Sequence, residues 1–371
     1  MSLFQIDAGK EWRGGQRQSL LLATELKKKG YPLYFVVQPR SPLYEQAQKA
    51  GLSVIPIKMR SEVDILAVTR LAAAMKKKKC RLVHFHDAHS VSVGSPAASL
   101  AGVPIKIISR RVDFPLKDNF LSRQKYIKNI DCIIAVSKGV RKVLIEGGVP
   151  PKSIKVIPDG IDYSPFGEAS SSDYLRQELS FKKKDFLVGI VAHLADHKGH
   201  KYLIRAARIL KEKAPKIKFI IVGEGPLKME LTRQVSESHV GDIVYFLGFR
   251  DDIPRILCSL DLFVLSSYLE GLGSSLLDAM ACRLPIVATK AGGIPEVVVH
   301  RETGLLVPTR NSRALAAAIL KLYEDRELAR QLGDNGFEHV HGNFSAEAMA
   351  GKIIDQYDKL ARKKGIKLNE Y

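Results

Sequence analysis

The sequence predicts an α/β protein made of two doubly wound, Rossmann-like halves. Three observations predict it. Apolar strand-like runs alternate with helical patterns almost throughout, the signature of parallel strands joined by crossover helices. The chain has 371 residues, too long for one ordinary core. The alternation breaks once, from Ile157 to Lys184, in a stretch rich in Pro, Gly, Ser and charge that reads as a linker with one short helix.

The elements follow in order. 'LFQI' precedes a helix over 16–29, and 'LYFVV' follows it; 'LVHF', 'IKIIS' and 'CIIAVS' carry the series to Val136. After the linker come 'FLVGIVA', a helix over 202–213, 'KFIIVG', a helix near 228–238, 'IVYFLG', 'LFVLS', 'LPIVAT' and 'GLLVP'. Each run is short, continuous and apolar, as expected of strands covered on both faces. Ligands of open α/β sheets gather beyond the C-terminal ends of the strands. There the sequence concentrates its glycines and polar residues: 'DAGKEWRGG', 'HFHDAHS', 'SRRVDF', 'VSKG', 'AHLADHKGH', 'GEGPL', 'GFRDD' and 'SSYLEGLGSS'.

The net charge is +19 and unevenly spread. Residues 1–170 carry 28 Lys and Arg against 14 Asp and Glu; the rest carry 30 against 25. The basic half suits an anionic partner, whether nucleic acid, an acidic lipid surface or a phosphorylated substrate, and equally a solvated lysine-rich surface. No run approaches the ~18 apolar residues of a membrane span. The start, 'MSLFQIDAGKEW', lacks a signal-peptide core. The four cysteines form no CxxC pair. A reduced, cytoplasmic protein without structural zinc is expected.

Several loops have the residues for chemistry. In 'YLEGLGSS', Gly271 and Gly273 let backbone approach a ligand, and the helix starting near Ser274 offers free N–H groups to an anion. Glu270 and Asp278 then supply acceptors for hydroxyls on either side of a phosphate, as in a nucleotide sugar; the plainer reading is that they satisfy helix N-terminal amides. In 'AHLADHKGH', Lys198 before a helix start makes electrostatic sense with an anion between them. Gly14 and Gly15 precede the first long helix, with Lys10, Arg13 and Arg17 around them. His84 and His86 alternate along a strand and are expected on opposite faces, one packed and one toward a crevice. 'GEGPLK' reads GxGxxK and lacks the third glycine of a dinucleotide loop. No Asp-x-Asp triplet, HExxH, P-loop or GxSxG occurs.

Taken in order, 'RGGQRQ', 'HFH', 'AVSKGV', 'VIPDGID', 'AHLADHKG', 'IIVGEGPL', 'FLGFRDDI', 'EGLGSSLLDAMACRLPIVAT', 'AGGIPEVV' and 'TGLLVP' span nearly the whole chain. Together they resemble the retaining GT-B-fold glycosyltransferases of family 4 (glycosyltransferase group 1). The resemblance implies two Rossmann-like domains facing across a cleft: residues 1–166 for the acceptor, with the C-terminal helix over 352–371 packing back on them, and 167–351 for the donor. It implies that Glu270 holds donor-sugar hydroxyls, that Gly271, Leu272 and Gly273 contact sugar and phosphate through backbone, and that Asp278 holds the ribose. Lys198 neutralises the diphosphate, Gly14 and Gly15 approach it, and His86 faces the transferred sugar. Glu270, His86 and Lys198 are thus the catalytic candidates. Two positions depart from the family: Asp278 stands for a Glu, and His193 for an Arg that normally accompanies the lysine. Arg13, Arg17, Arg110 and Arg111 are candidates for the acceptor, and Arg13, Arg110 or Arg111 could also replace the missing arginine.

The implied activity is a hexosyl- or heptosyltransferase of the EC 2.4 class. It uses a UDP-, GDP- or ADP-linked sugar as substrate, with no cofactor and no metal. The implied acceptor is a glycolipid or oligosaccharide of bacterial envelope or lipopolysaccharide assembly. The mixed basic and apolar segment 'RRVDFPLKDNFLSRQKYIKNI' suits peripheral contact with the anionic inner face of the cytoplasmic membrane, or plain amphipathic packing. Two other classes stay open. A sugar-nucleotide or NAD-dependent oxidoreductase shares doubly wound halves but needs a complete GxGxxG with a distal acid. A nucleic-acid-binding protein explains the charge but needs a recognisable basic and aromatic module.

Overall fold

The computed structural model describes residues 2–116, 125–167 and 173–366. The chain forms two compact units, Met1–Gly160 with Ala346–Tyr371, and Ile161–Ser345. The helix Ala346–Lys363 is continuous and its apolar face belongs to the first unit from its start.

The first unit holds seven strands: β1 Ser2–Asp7, β2 Leu33–Val37, β3 Val54–Pro56, β4 Cys80–Phe85, β5 Ile105–Arg110, β6 Cys132–Ala135 and β7 Ile154–Val156. Their order is β3-β2-β1-β4-β5-β6-β7, all parallel. On one face Leu3, Phe35, Leu82 and Ile107 pack beneath Leu22 and Leu26 of the helix Gly14–Lys28. Met349, Ile353 and Tyr357 of the helix Ala346–Lys363 join the same core. Filling such positions with aliphatic side chains stabilises by about 1.5–3 kcal/mol each.

The second unit has six parallel strands: β8 Phe186–Val191, β9 Ile217–Val222, β10 Val244–Gly248, β11 Leu262–Leu265, β12 Ile286–Thr289 and β13 Leu305–Val307. They run in the order β10-β9-β8-β11-β12-β13. The order reverses direction at β8 and β11, and the two loops leaving those strands become neighbours, as at a topological switch point. Among its described residues the stretch read as a linker with one short helix contains two, Ser164–Gly167 and Tyr174–Glu178. Arg176 ties the second of them to the sheet through Asp261 at 2.6 Å.

Candidate functional site

In the second unit the loops after β8 and β11 are stitched together by backbone. Tyr268 N donates to His197 O at 2.8 Å, and Ser266 Oγ donates to Lys198 O at 3.0 Å. Gly199 takes φ 68°, and a Cβ there would stand 2.2 Å from Ser266 O. Only glycine permits both. This seam sets Lys198 opposite Glu270. Their Nζ and Oε2 lie 2.6 Å apart, with side chains only 20% and 11% exposed. Ser267 Oγ donates to the same Glu270 oxygen at 2.9 Å, and Gly293 N donates to the Glu270 main-chain oxygen at 3.0 Å. Two residues read separately from sequence, a cation for phosphate and an acceptor for hydroxyls, are therefore one fixed ion pair. Ser267 was not foreseen; its signal was adjacency to the strand end.

Just beyond, Gly273 at φ 91° opens the helix Ser274–Ala281, with no side-chain cap and no acid in its first turn. Its leading N–H groups keep their positive end, a ready seat for an anion. Leu272 is 2% exposed and anchors the loop in the core, so what it can present to a ligand is backbone. Asp278 lies in the second turn, 5% exposed. His193 is half-buried on the loop after β8. His200 opens the helix His200–Lys213 fully buried, and neither ring nitrogen has a partner among the described residues. Burial, reinforced by the charges of Lys198, His193 and His197, pushes it down to about 3. The glycines of 'GEGPL' have a packing role: Gly223 takes φ 139°, where a Cβ would stand 2.1 Å from Ala192 O, and Leu194 N donates to Glu224 O at 2.8 Å.

In the first unit, Gly14 and Gly15 begin the helix Gly14–Lys28, whose N-cap, Arg13, makes no side-chain cap bond. The loop before them is held by Asp7, fully buried at the end of β1. Its carboxylate accepts from Gly9 N at 2.9 Å, Gln16 Nε2 at 3.0 Å and Ser19 Oγ at 2.7 Å. Asp87 caps the helix Ala88–Leu100 and also accepts from Ala8 N at 2.7 Å. Burial and the nearby Asp7 charge push Asp87 up to about 6. None of these supports was foreseen, although a lone carboxylate ending a buried strand demands donors.

His84 and His86 do not face opposite ways. A strand repeats every two residues, so i and i+2 share a face, and here the rings lie side by side, tilted by 33°, with centroids 4.4 Å apart. Both are buried. His84 Nδ1 meets Tyr357 Oη at 2.6 Å and its Nε2 meets Ser109 Oγ at 2.8 Å. His86 Nδ1 lies 3.2 Å from Arg111 Nη1, and its Nε2 is buried without a partner among the described residues. Burial drives both histidines well below the ordinary range, with Arg111 acting in the same direction.

The four arginines assigned to an acceptor sit in different surroundings. Arg13 is exposed and bound to Glu11 at 2.6 Å. Arg17 is half-buried on the first helix. Arg110 spans Tyr126 Oη, Phe114 O and Val112 O, fastening the loop after β5. Arg111 is turned inward, its Nε 2.9 Å from the buried Asp159. The apolar anchors Phe120 and Leu121 lie outside the described residues. Among the described residues no three His, Cys, Asp or Glu side chains group as a metal site, and no helix is long and apolar enough to cross a membrane.

Comparison with known proteins agrees with this arrangement. Residues 12–164 match the family model described as Glycosyltransferase Family 4, and 171–339 match Glycosyl transferases group 1. The chain is 28% identical to the N-acetyl-alpha-D-glucosaminyl L-malate synthase of Bacillus anthracis, over 80% of this chain and 78% of that one. It is 27% identical to the UDP-Gal:alpha-D-GlcNAc-diphosphoundecaprenol alpha-1,3-galactosyltransferase of Escherichia coli, over 79% of each. The crystal structure of Anabaena Alr3699/HepE with UDP and glucose superposes with a TM-score of 0.87 at 22% identity, covering 97% of this chain and all of that one. The fold is GT-B.

Proposed function

We propose that this chain, which belongs to the group 1, family 4 glycosyltransferases, moves a sugar from a nucleotide-diphosphate donor to an acceptor hydroxyl with retention of configuration and without a metal. The observation that carries this reading is the Lys198–Glu270 pair beside the uncapped start of the helix Ser274–Ala281. A cation and a helix N-terminus suit the leaving diphosphate. Glu270, with one oxygen engaged by Lys198 and Ser267, suits a sugar hydroxyl. Asp278 suits the ribose, as the family resemblance implies.

The C1–O bond of the donor breaks and its electron pair leaves with the diphosphate. The acceptor oxygen bonds C1 on the same face, and its proton passes to the departing phosphate oxygen. Charge grows on that phosphate as the bond breaks, so preorganised donors count most there. Lys198, the Ser274 helix start and the glycine amides are those donors. His193 at the family's arginine position leaves Lys198 as the main cation of this loop.

The acceptor is proposed to be a glycolipid or polysaccharide of the bacterial envelope. The E. coli relative names a lipid diphosphate acceptor, and the basic excess of residues 1–170 suits one. The test is turnover of a panel of UDP-, GDP- and ADP-sugars, without and with lipid-linked and soluble acceptors. The anomeric configuration of the product is then read by NMR. An inverted product, or turnover only with NAD, would overturn the reading. Peripheral membrane contact is checked by co-sedimentation of the full chain with phosphatidylglycerol vesicles. Salt should weaken it as the Debye length falls from about 10 Å at 0.1 M to about 3 Å at 1 M.

A further inference from the structure

The ring of His86 carries one partner that fixes its chemistry. Arg111 Nη1 lies 3.2 Å from His86 Nδ1. A guanidinium has only donors, so Nδ1 must accept. Burial keeps the ring neutral, and the charge on Arg111 pushes the same way. A neutral ring with an accepting Nδ1 holds its proton on Nε2. That Nε2–H is buried and has no acceptor among the described residues. Arg111 is itself held, its Nε 2.9 Å from Asp159 Oδ1, and both side chains are about nine-tenths buried. The neighbouring His84 is spoken for by Tyr357 and Ser109 and competes for neither nitrogen.

We infer that Arg111 is a positioning residue that locks His86 as its Nε2–H tautomer, so that His86 serves the substrate as a hydrogen-bond donor to an oxygen and not as a base. This rests on the proposed glycosyl transfer for what the oxygen is, a sugar hydroxyl, but not for the tautomer. It also gives Arg111 a role other than acceptor binding. The ring lies beside His84 on its own strand and Arg111 after β5; behind them, Arg111 meets Asp159 after β7 and His84 meets Tyr357 on the helix Ala346–Lys363.

The experiment is long-range ¹H–¹⁵N spectroscopy of the full chain labelled on histidine, with the His86 signals identified by their loss in His86→Asn. Nε2 is expected to be protonated and Nδ1 bare from about pH 6 to 8, the range in which an ordinary histidine titrates. In Arg111→Met the ring is expected to shift toward Nδ1–H, while Arg111→Lys, which keeps a donor, restores Nε2–H. A wild-type ring protonated on Nδ1 overturns the inference, as does an unchanged ring in a folded Arg111→Met. Should Arg111→Met not fold, the wild-type and Arg111→Lys spectra decide alone. In turnover, His86→Gln, which can still donate, should lose about tenfold in kcat/KM and His86→Glu distinctly more; the reverse order also overturns it. Absence of turnover with every donor would sink the proposed reaction while leaving the tautomer measurable.

Discussion

Lys198 and Glu270 come from loops after different strands, yet their side chains meet at 2.6 Å and are mostly shielded from water. Each is therefore both the other's counter-ion and a candidate ligand contact. Lys198→Ala and Glu270→Ala are expected to lower turnover by about 10²–10³, the usual cost of a lost transition-state donor. Each should also destabilise by about 2 kcal/mol, because one charge is left without its hydrogen-bonded partner. The double variant should regain much of the melting temperature and none of the rate. Recovery of rate in the double variant would show that the pair is purely structural.

Gly15 offers a cleaner separation of fold from function. Nothing lies within 4 Å of a Cβ placed there, and the residue is helical. Gly15→Ala should fold normally and gain about 0.4–1 kcal/mol by restricting the unfolded chain. Turnover should nevertheless fall if a diphosphate must approach this backbone. Calorimetry and donor KM check it together; unchanged KM would place the diphosphate elsewhere.

His200 sets a pH dependence of stability. Burial pushes it down from the ordinary 6.5 to about 3, so the unfolded chain binds the proton first as pH falls. Stability is full above 6.5 and declines from there toward 3. The buried His84 and His86 act with the same sign. His200→Leu should flatten part of the fall in Tm between pH 6.5 and 4, as measured by thermal melts in a buffer series. An identical slope in the variant would remove His200 as a cause.

Chelation should leave turnover intact. The sequence has no Asp-x-Asp triplet, and on the proposed reading Lys198 and the uncapped start of the helix Ser274–Ala281 supply the positive charge for a leaving diphosphate. Loss of rate in EDTA that magnesium or manganese restores would overturn this.

Much of the fold was legible because parallel strands buried on both faces read as plain apolar runs. The exceptions are instructive. β3 and β7 have three residues each and include a proline or a lysine, so no apolar run marks them as it marks the equally short β13. The candidate loops were legible from glycine and charge at strand ends. Their internal wiring was not: the Lys198–Glu270 pair joins residues 72 apart, and His84–Tyr357 residues 273 apart, and no local pattern announces such meetings. The faces of His84 and His86 were misread by treating neighbours two apart as alternating.

The helix Ala346–Lys363 completes a core that β1 began, and this dictates an order of assembly on the ribosome. Leu22 and Leu26 emerge early, but Met349, Ile353 and Tyr357, which close over that core, are translated only after the whole of Ile161–Ser345. At about 5–20 residues per second the first unit waits on the order of 10–40 s with an apolar groove open and His84 lacking its tyrosine. The second unit is contiguous and faces no such delay. A released chain ending at residue 345 should therefore protect the later-made unit from protease and leave the earlier-made one to chaperones.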